Sequence, residues 1–143
     1  MSANRNNAEI VRPHLSDRFF RIERFDQMQR RDSTNIKFRA FADPTRLRIL
    51  HLLHDNEWCV GDLTEIINVP QPTASRHLAY LRKAQLVVTR KEGLWIYYSL
   101  APARNDFHQK LLECLDKCFA GRPELKTDQE RAERLLKTGG SPG

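Results

Sequence analysis

VGDLTEIINVPQPTASRHLAYLRK, residues 60–83, reads as two short helices around a tight turn. In the first, about Val60 to Ile67, Leu63, Ile66 and Ile67 recur at helical spacing and face inward. Asn68-Val69-Pro70 supplies the turn. The second starts at Gln71-Pro72, where a proline near the first helical position sacrifices no hydrogen bond. Its inward stripe is Ala74, Leu78 and Leu81, at i, i+4 and i+7. That leaves Thr73, Ser75, Arg76 and His77 outward, a polar face on a helix whose other side is apolar.

The flanks extend this pattern. Upstream, Asp43-Pro44 is a helix start, an acidic cap followed by proline. Leu47, Leu50 and Leu53 form one stripe of that helix, with Ile49 and Leu52 beside it, and Asp55-Asn56 ends it. Before it, Thr34 to Phe41 and Ser16 to Arg31 read as helices, and residues 1–15 as a flexible N-terminal segment. Downstream, Leu86 to Arg90 and Leu94 to Leu100 are rich in branched and aromatic residues, and the intervening Lys91-Glu92-Gly93 makes them a hairpin. Asp106 to Phe119 is a last strong helix, capped by Asp106, with Phe107, Leu111, Cys114 and Cys118 on one stripe widened by Leu112, Leu115 and Phe119. The expected organisation is a 1–15 segment, a 16–120 domain and a mostly flexible 121–143 extension. Within the extension, Thr127 and Glu130 suit a capping box for a short helix through Leu136. The fold class is mainly α with a β-hairpin.

Charge narrows the partners. The 143-residue chain carries a net charge of +6. From Ile66 to Lys91 there is no acidic residue, but Arg76, Arg82, Lys83, Arg90 and Lys91 are present. A basic window coinciding with two short helices and a hairpin fits a duplex nucleic acid: one helix enters the major groove, and the hairpin lies along the backbone as a wing. Gln71, Thr73, Ser75, Arg76 and His77 are the candidate groove residues, and Arg82, Lys83, Arg90 and Lys91 the candidate phosphate contacts. No stretch is apolar enough to span a bilayer, and the first residues, MSANRNNAEIVRPHL, lack the apolar core of a secretory signal. With three cysteines (Cys59, Cys114, Cys118), the expectation is a reducing cytoplasm and thiols outside disulfides. The motifs of hydrolases, phosphate-loop enzymes and zinc proteases are absent, so an enzyme is not expected, nor an organic cofactor.

ADPTRLRIL (42–50), SRHLAYLRKAQLV (75–87) and KEGLWIYYSL (91–100) together resemble the ArsR/SmtB family of winged-helix repressors, and the arsenic-responsive branch in particular. The resemblance covers Phe41 to Leu100. It implies a homodimer that packs its first and last helices across the dimer axis, binds an operator with an inverted repeat, and leaves it when an inducer binds. It also implies thiol sensing in several members, usually through Cys-Val-Cys at the start of the first helix of the helix-turn-helix. Here that segment is Cys59-Val60-Gly61, so the second thiol is missing.

Cys114 and Cys118 lie one turn apart on one helix face, where both sulfurs reach a common ligand. Three thiolates satisfy a soft three-coordinate ion, so As(III) or Sb(III) held by Cys114 and Cys118, with Cys59 as the third ligand, is the expected inducer chemistry. The zinc pattern of the family is half present at Asp106-Phe107-His108, but no histidine follows His108. Redox or reactive-sulfur sensing through the thiols stays open, as does sensing of another metal. So does a winged-helix protein–protein adaptor without inducer.

Overall fold

The computed structural model describes residues 33–119 and 121–139. The chain divides into two units, Met1–Asn35 and Ile36–Gly143. The flexible segment expected over residues 1–15 and the helix expected over residues 16–31 lie outside the described residues. Helix α1 covers residues 33–41. It is followed by α2 (Pro44–Asp55), β1 (Trp58–Cys59), α3 (Val60–Ile67), α4 (Gln71–Lys83), β2 (Val87–Glu92), β3 (Trp95–Leu100), α5 (Asp106–Phe119) and α6 (Pro123–Lys137).

Helix α2 is the hub. Asp43 caps it, its carboxylate accepting from the Arg46 N–H at 2.9 Å, and Pro44 stands at the first position. Leu47, Ile49, Leu50, Leu52 and Leu53 are all buried. Apolar residues on more than one stripe let one helix touch α3, α4, α5, α6 and β3. Helix α3 ends on Asn68, at φ 56°, a left-handed position that asparagine tolerates. Helix α4 buries Ala74, Leu78 and Leu81, the expected stripe. It ends in a Schellman arrangement without glycine. Leu86 N–H donates to Leu81 C=O and Gln85 N–H to Arg82 C=O, while Gln85 takes φ 61°.

The hairpin pairs β2 with β3 from Val87↔Leu100 to Glu92↔Trp95. Gly93, at φ 58°, makes the turn. The strand Trp58–Cys59 was not anticipated. It adds to the other edge of β3, opposite Tyr98 and Tyr97, giving the antiparallel order β1-β3-β2. Two residues are too few to show a period in sequence. Trp58 is held by burial and by donating its indole N–H to Leu52 C=O at 3.2 Å.

Three expectations are corrected at the C-terminal end. Helix α5 is capped by Asn105 rather than Asp106: the Asn105 carboxamide oxygen accepts from the His108 N–H at 2.8 Å. Its buried residues are His108 and Leu115, with Leu112 and Phe119 also against the core. The stripe of Phe107, Leu111, Cys114 and Cys118 is only half covered, Cys118 being exposed. The third correction concerns α6, a 15-residue helix where only a short helix through Leu136 was expected within a mostly flexible extension. Pro123 at its first position starts it, not a Thr127–Glu130 box: Thr127 instead donates its hydroxyl to Pro123 C=O. Leu125, Asp128 and Ala132 are buried. No helix among the described residues is long and apolar enough to cross a membrane.

Candidate DNA interface and thiol pair

Helix α4 presents Gln71, Ser75, Arg76, Arg82 and Lys83 to solvent, with Thr73 partly covered. Side-chain spacing explains this. With Ala74, Leu78 and Leu81 buried, positions 71, 75, 76, 82 and 83 fall on the remaining arc. Among the described residues none of Arg76, Arg82 and Lys83 makes an ion pair, so their charge faces outward.

His77 differs from its neighbours. Its side chain is 13 % exposed, and Nδ1 lies 3.9 Å from the Asp43 carboxylate and 3.5 Å from Arg46 Nη1. Burial lowers its pKa; Asp43 opposes the shift, and the charges of Arg46 and Arg76 add to it. A neutral imidazole wedged between α2 and α4 is a helix support, with little surface left to reach a base edge.

The wing also departs from expectation. Arg90 does not extend a bare guanidinium. It forks onto both Glu57 carboxylate oxygens at 2.9 and 3.2 Å, reaches Glu92 at 2.6 Å, and stacks 4.8 Å from the Tyr97 ring centroid. The Arg90 hydrogen bond holds the Glu57 carboxyl below the usual carboxylate range, against a small opposing effect of burial. To meet a phosphate, Arg90 would have to leave two acids. Lys91 is exposed, opposite Ile96, and Leu94, Trp95 and Ile96 are exposed at the outer end of the hairpin.

The thiols divide into two places. Cys59 is buried and caps α3, its sulfur accepting from the Asp62 N–H at 3.5 Å. A Cβ at Gly61 would stand 3.7 Å from that sulfur, ordinary contact distance, so position 61 is where a second thiol would meet Cys59. Cys114 and Cys118 meet on α5. A hydrogen bond with Cys118 pushes the Cys114 thiol up, with burial and the charge of Cys118 acting the same way. No disulfide joins the described cysteines. Among the described residues of the single chain no three His, Cys, Asp or Glu side chains gather to hold a metal, and Cys59 stands apart from the Cys114–Cys118 pair. The physical reason is capping: Cys59 is spent on the α3 N-terminus at the sheet edge, while the pair rides the open face of α5.

Sequence reasoning missed two groups. Arg48 forks onto both oxygens of the buried Asp128 at 2.7 Å and also donates to Ile67 C=O. Arg131 donates to Ile66 C=O at 3.0 Å, so α6 closes the end of α3. Residues 80 apart carry no local signal for such a pair. His108 is fully buried, with Nδ1 accepting from the Arg104 N–H at 3.3 Å and Nε2 without a partner among the described residues.

A helix with an outward basic face, its tight turn and the hairpin behind it are the geometry of a winged helix-turn-helix. The family model described as "Bacterial regulatory protein, arsR family" matches residues 43–89. The arsenical resistance operon repressor of Escherichia coli is 40% identical over 101 residues, 70% of this chain and 79% of the relative. The chain belongs to the ArsR family. It is therefore a DNA-binding transcriptional repressor of the winged-helix class, not an enzyme. The ArsR-family match is broad. The transcriptional repressor SdpR of Bacillus subtilis is 41% identical over 66 residues, 46% of this chain and 73% of the relative. Among solved structures, HlyU from Vibrio cholerae aligns with TM-score 0.55 and 33% identity over 63% of this chain and 95% of that one. The transcriptional repressor BigR from Xylella fastidiosa aligns with TM-score 0.53 and 29% identity over 69% and 98%.

Proposed function

We propose that this ArsR-family protein binds its operator as a homodimer and releases it when As(III) or Sb(III) binds the Cys114–Cys118 pair. The single observation that carries the inducer site is the placement of two free cysteines one turn apart on α5, Cys114 half-buried and Cys118 exposed. Two sulfurs at i and i+4 suit a soft, thiophilic ion, and their protons leave as it binds. Cys59 belongs to the fold of α3 rather than to this pair. On the DNA side, Gln71, Thr73 and Ser75 read groove edges, and Arg76, Arg82, Lys83 and Lys91 meet phosphates. The operator is double-stranded DNA with an inverted repeat, matching the two-fold axis of a dimer. Such a protein works in the cytoplasm, beside its DNA.

Relatives named for arsenic resistance support the metalloid, and a relative named for cadmium resistance keeps a second soft ion in view. Gel shifts with the protein's own upstream DNA, repeated with As(III), Sb(III), Cd(II) and Zn(II), test the reading. As(III) or Sb(III) should release the wild type and Cys59→Ser, but not Cys114→Ser or Cys118→Ser. Release that survives loss of both α5 thiols, or no release by any ion, would refute it. In the second case, release by peroxide or persulfide would put redox chemistry in its place.

A further inference from the structure

We propose that Arg46 is the positioning residue of the DNA-reading helix, tying α4 to the end of α1 through one guanidinium. This rests on α4 being the reading helix, as in the ArsR family.

Each guanidinium nitrogen of Arg46 has a partner. Nε donates to Ala40 C=O at 3.2 Å and Nη2 to Arg39 C=O at 2.8 Å. Both carbonyls belong to the last turn of α1, where helix carbonyls run short of backbone donors; that of Arg39 also accepts from the Ala42 N–H at 3.2 Å. Nη1 lies 3.5 Å from His77 Nδ1, and the guanidinium carbon stacks 4.1 Å from the Tyr80 ring centroid. His77 and Tyr80, three residues apart, share one face of α4. Asp43 completes the cluster, capping the Arg46 N–H and lying near His77.

The rest of α4 is held by apolar contact through Ala74, Leu78 and Leu81. Such contact is non-directional: it fixes depth and tolerates small rotations about the helix axis. A planar fork with fixed donor directions and a ring stack is directional. A rotation of α4 would carry Tyr80 off the guanidinium and His77 away from Nη1. Arg76 and Ser75, on the same helix as these anchors, then point where the fork dictates. Misplacement of a reading group by a fraction of an ångström is enough to lose a base contact while leaving phosphate contacts intact.

The test uses the full chain and an operator duplex that the wild type selects from random-sequence DNA, with a scrambled duplex beside it. Arg46→Lys keeps the charge but removes the fork; Tyr80→Leu removes only the stack. Affinities are read over a salt series, with thermal melts to show that each variant is folded. Arg46→Lys should lose about tenfold in operator affinity, while the scrambled duplex binds within about twofold of wild type and the salt slope is unchanged. Tyr80→Leu should lose about threefold in the same selective way, and the double variant less than the product of the two. Operator affinity within twofold of wild type in Arg46→Lys overturns the proposal. So does a salt slope reduced by about one with both duplexes weakened, which would make Arg46 a phosphate contact. Equal losses on both duplexes at unchanged slope also overturn it, marking general destabilisation. Should Arg46→Lys fail to fold, Tyr80→Leu decides alone: a selective loss supports the proposal and no loss overturns it.

Discussion

Charge at one residue is not the same as charge offered to DNA. Arg76 and Arg90 are both exposed, yet Arg90 is already met by Glu57 and Glu92. Arg76→Ala should therefore lower the salt slope of operator binding by about one, and Arg90→Ala by clearly less, in affinity titrations over a salt series. Equal slopes for the two variants would show that Arg90 leaves its acids on binding. Histidines make the second residue-scale prediction. Burial, then the charges of Lys37 and Arg104, lower the His108 pKa from its ordinary 6.5; His77 is lowered as well, burial again leading. Both take up a proton less readily in the fold than in the unfolded chain. Their contribution is complete above about pH 6.5 and is lost as pH falls through the depressed folded values. Urea melts from about pH 7 to pH 5 should show falling stability, by up to about 1.4 kcal/mol per pH unit for each histidine. His108→Gln should flatten that decline, and an unchanged slope would place the titration elsewhere.

At the scale of elements, α6 acts as a brace. Its Asp128 is 1 % exposed and paired to Arg48 of α2, which also holds the last carbonyl of α3. Leaving Arg48 half satisfied in that site is costly. Asp128→Asn should destabilise the fold by ~3 kcal/mol, read as a lower urea midpoint, and Arg48→Met with Asp128→Leu should recover much of the loss. Because α3 opens the helix-turn-helix, the single variant should also weaken operator binding. A variant as stable as wild type would remove α6 from this role. The helices α2, α3 and α4 and the hairpin are legible in sequence because each carries its own period, cap or turn: Asp43-Pro44, Leu63-Ile66-Ile67, Ala74-Leu78-Leu81, Gly93. Helix α6 is legible only in part: a short helix through Leu136 can be read, but its buried Leu125, Asp128 and Ala132 look like scattered positions on a charged segment. Their inward direction depends on Arg48, 80 residues away in the chain from Asp128.

At the scale of the whole molecule, an apolar surface on α5 is only partly covered by the described residues. Phe107, Leu111 and Cys114 on α5 are half-buried, and Phe38 of α1, 54 % exposed, packs tilted against Phe107 with centroids 5.1 Å apart. A second copy across a two-fold axis would bury this face and bring two reading helices to one operator. Leu111→Glu should shift sedimentation from dimer to monomer and cut operator affinity by about tenfold or more, while the melt shows a folded chain. A dimer that survives the charge would place the seam elsewhere. The thiol pair shares that face, so in the proposed dimer an ion bound there would sit at the seam.

The sequence by itself determined the winged helix-turn-helix, the outward basic face of α4 and its family, because those are written in short-range patterns: caps, helical stripes and a turn within some sixty residues, Phe41 to Leu100. It also placed Cys114 and Cys118 together, since i and i+4 on a helix are neighbours whatever surrounds them. Tertiary structure alone decided the rest. It assigned Cys59 to a helix cap, His77 to a support, and Arg90 to two acids. It turned the end of the chain into a brace and gathered Arg46, His77 and Tyr80. Each of these depends on which distant groups meet a side chain, and packing rather than local spacing sets that.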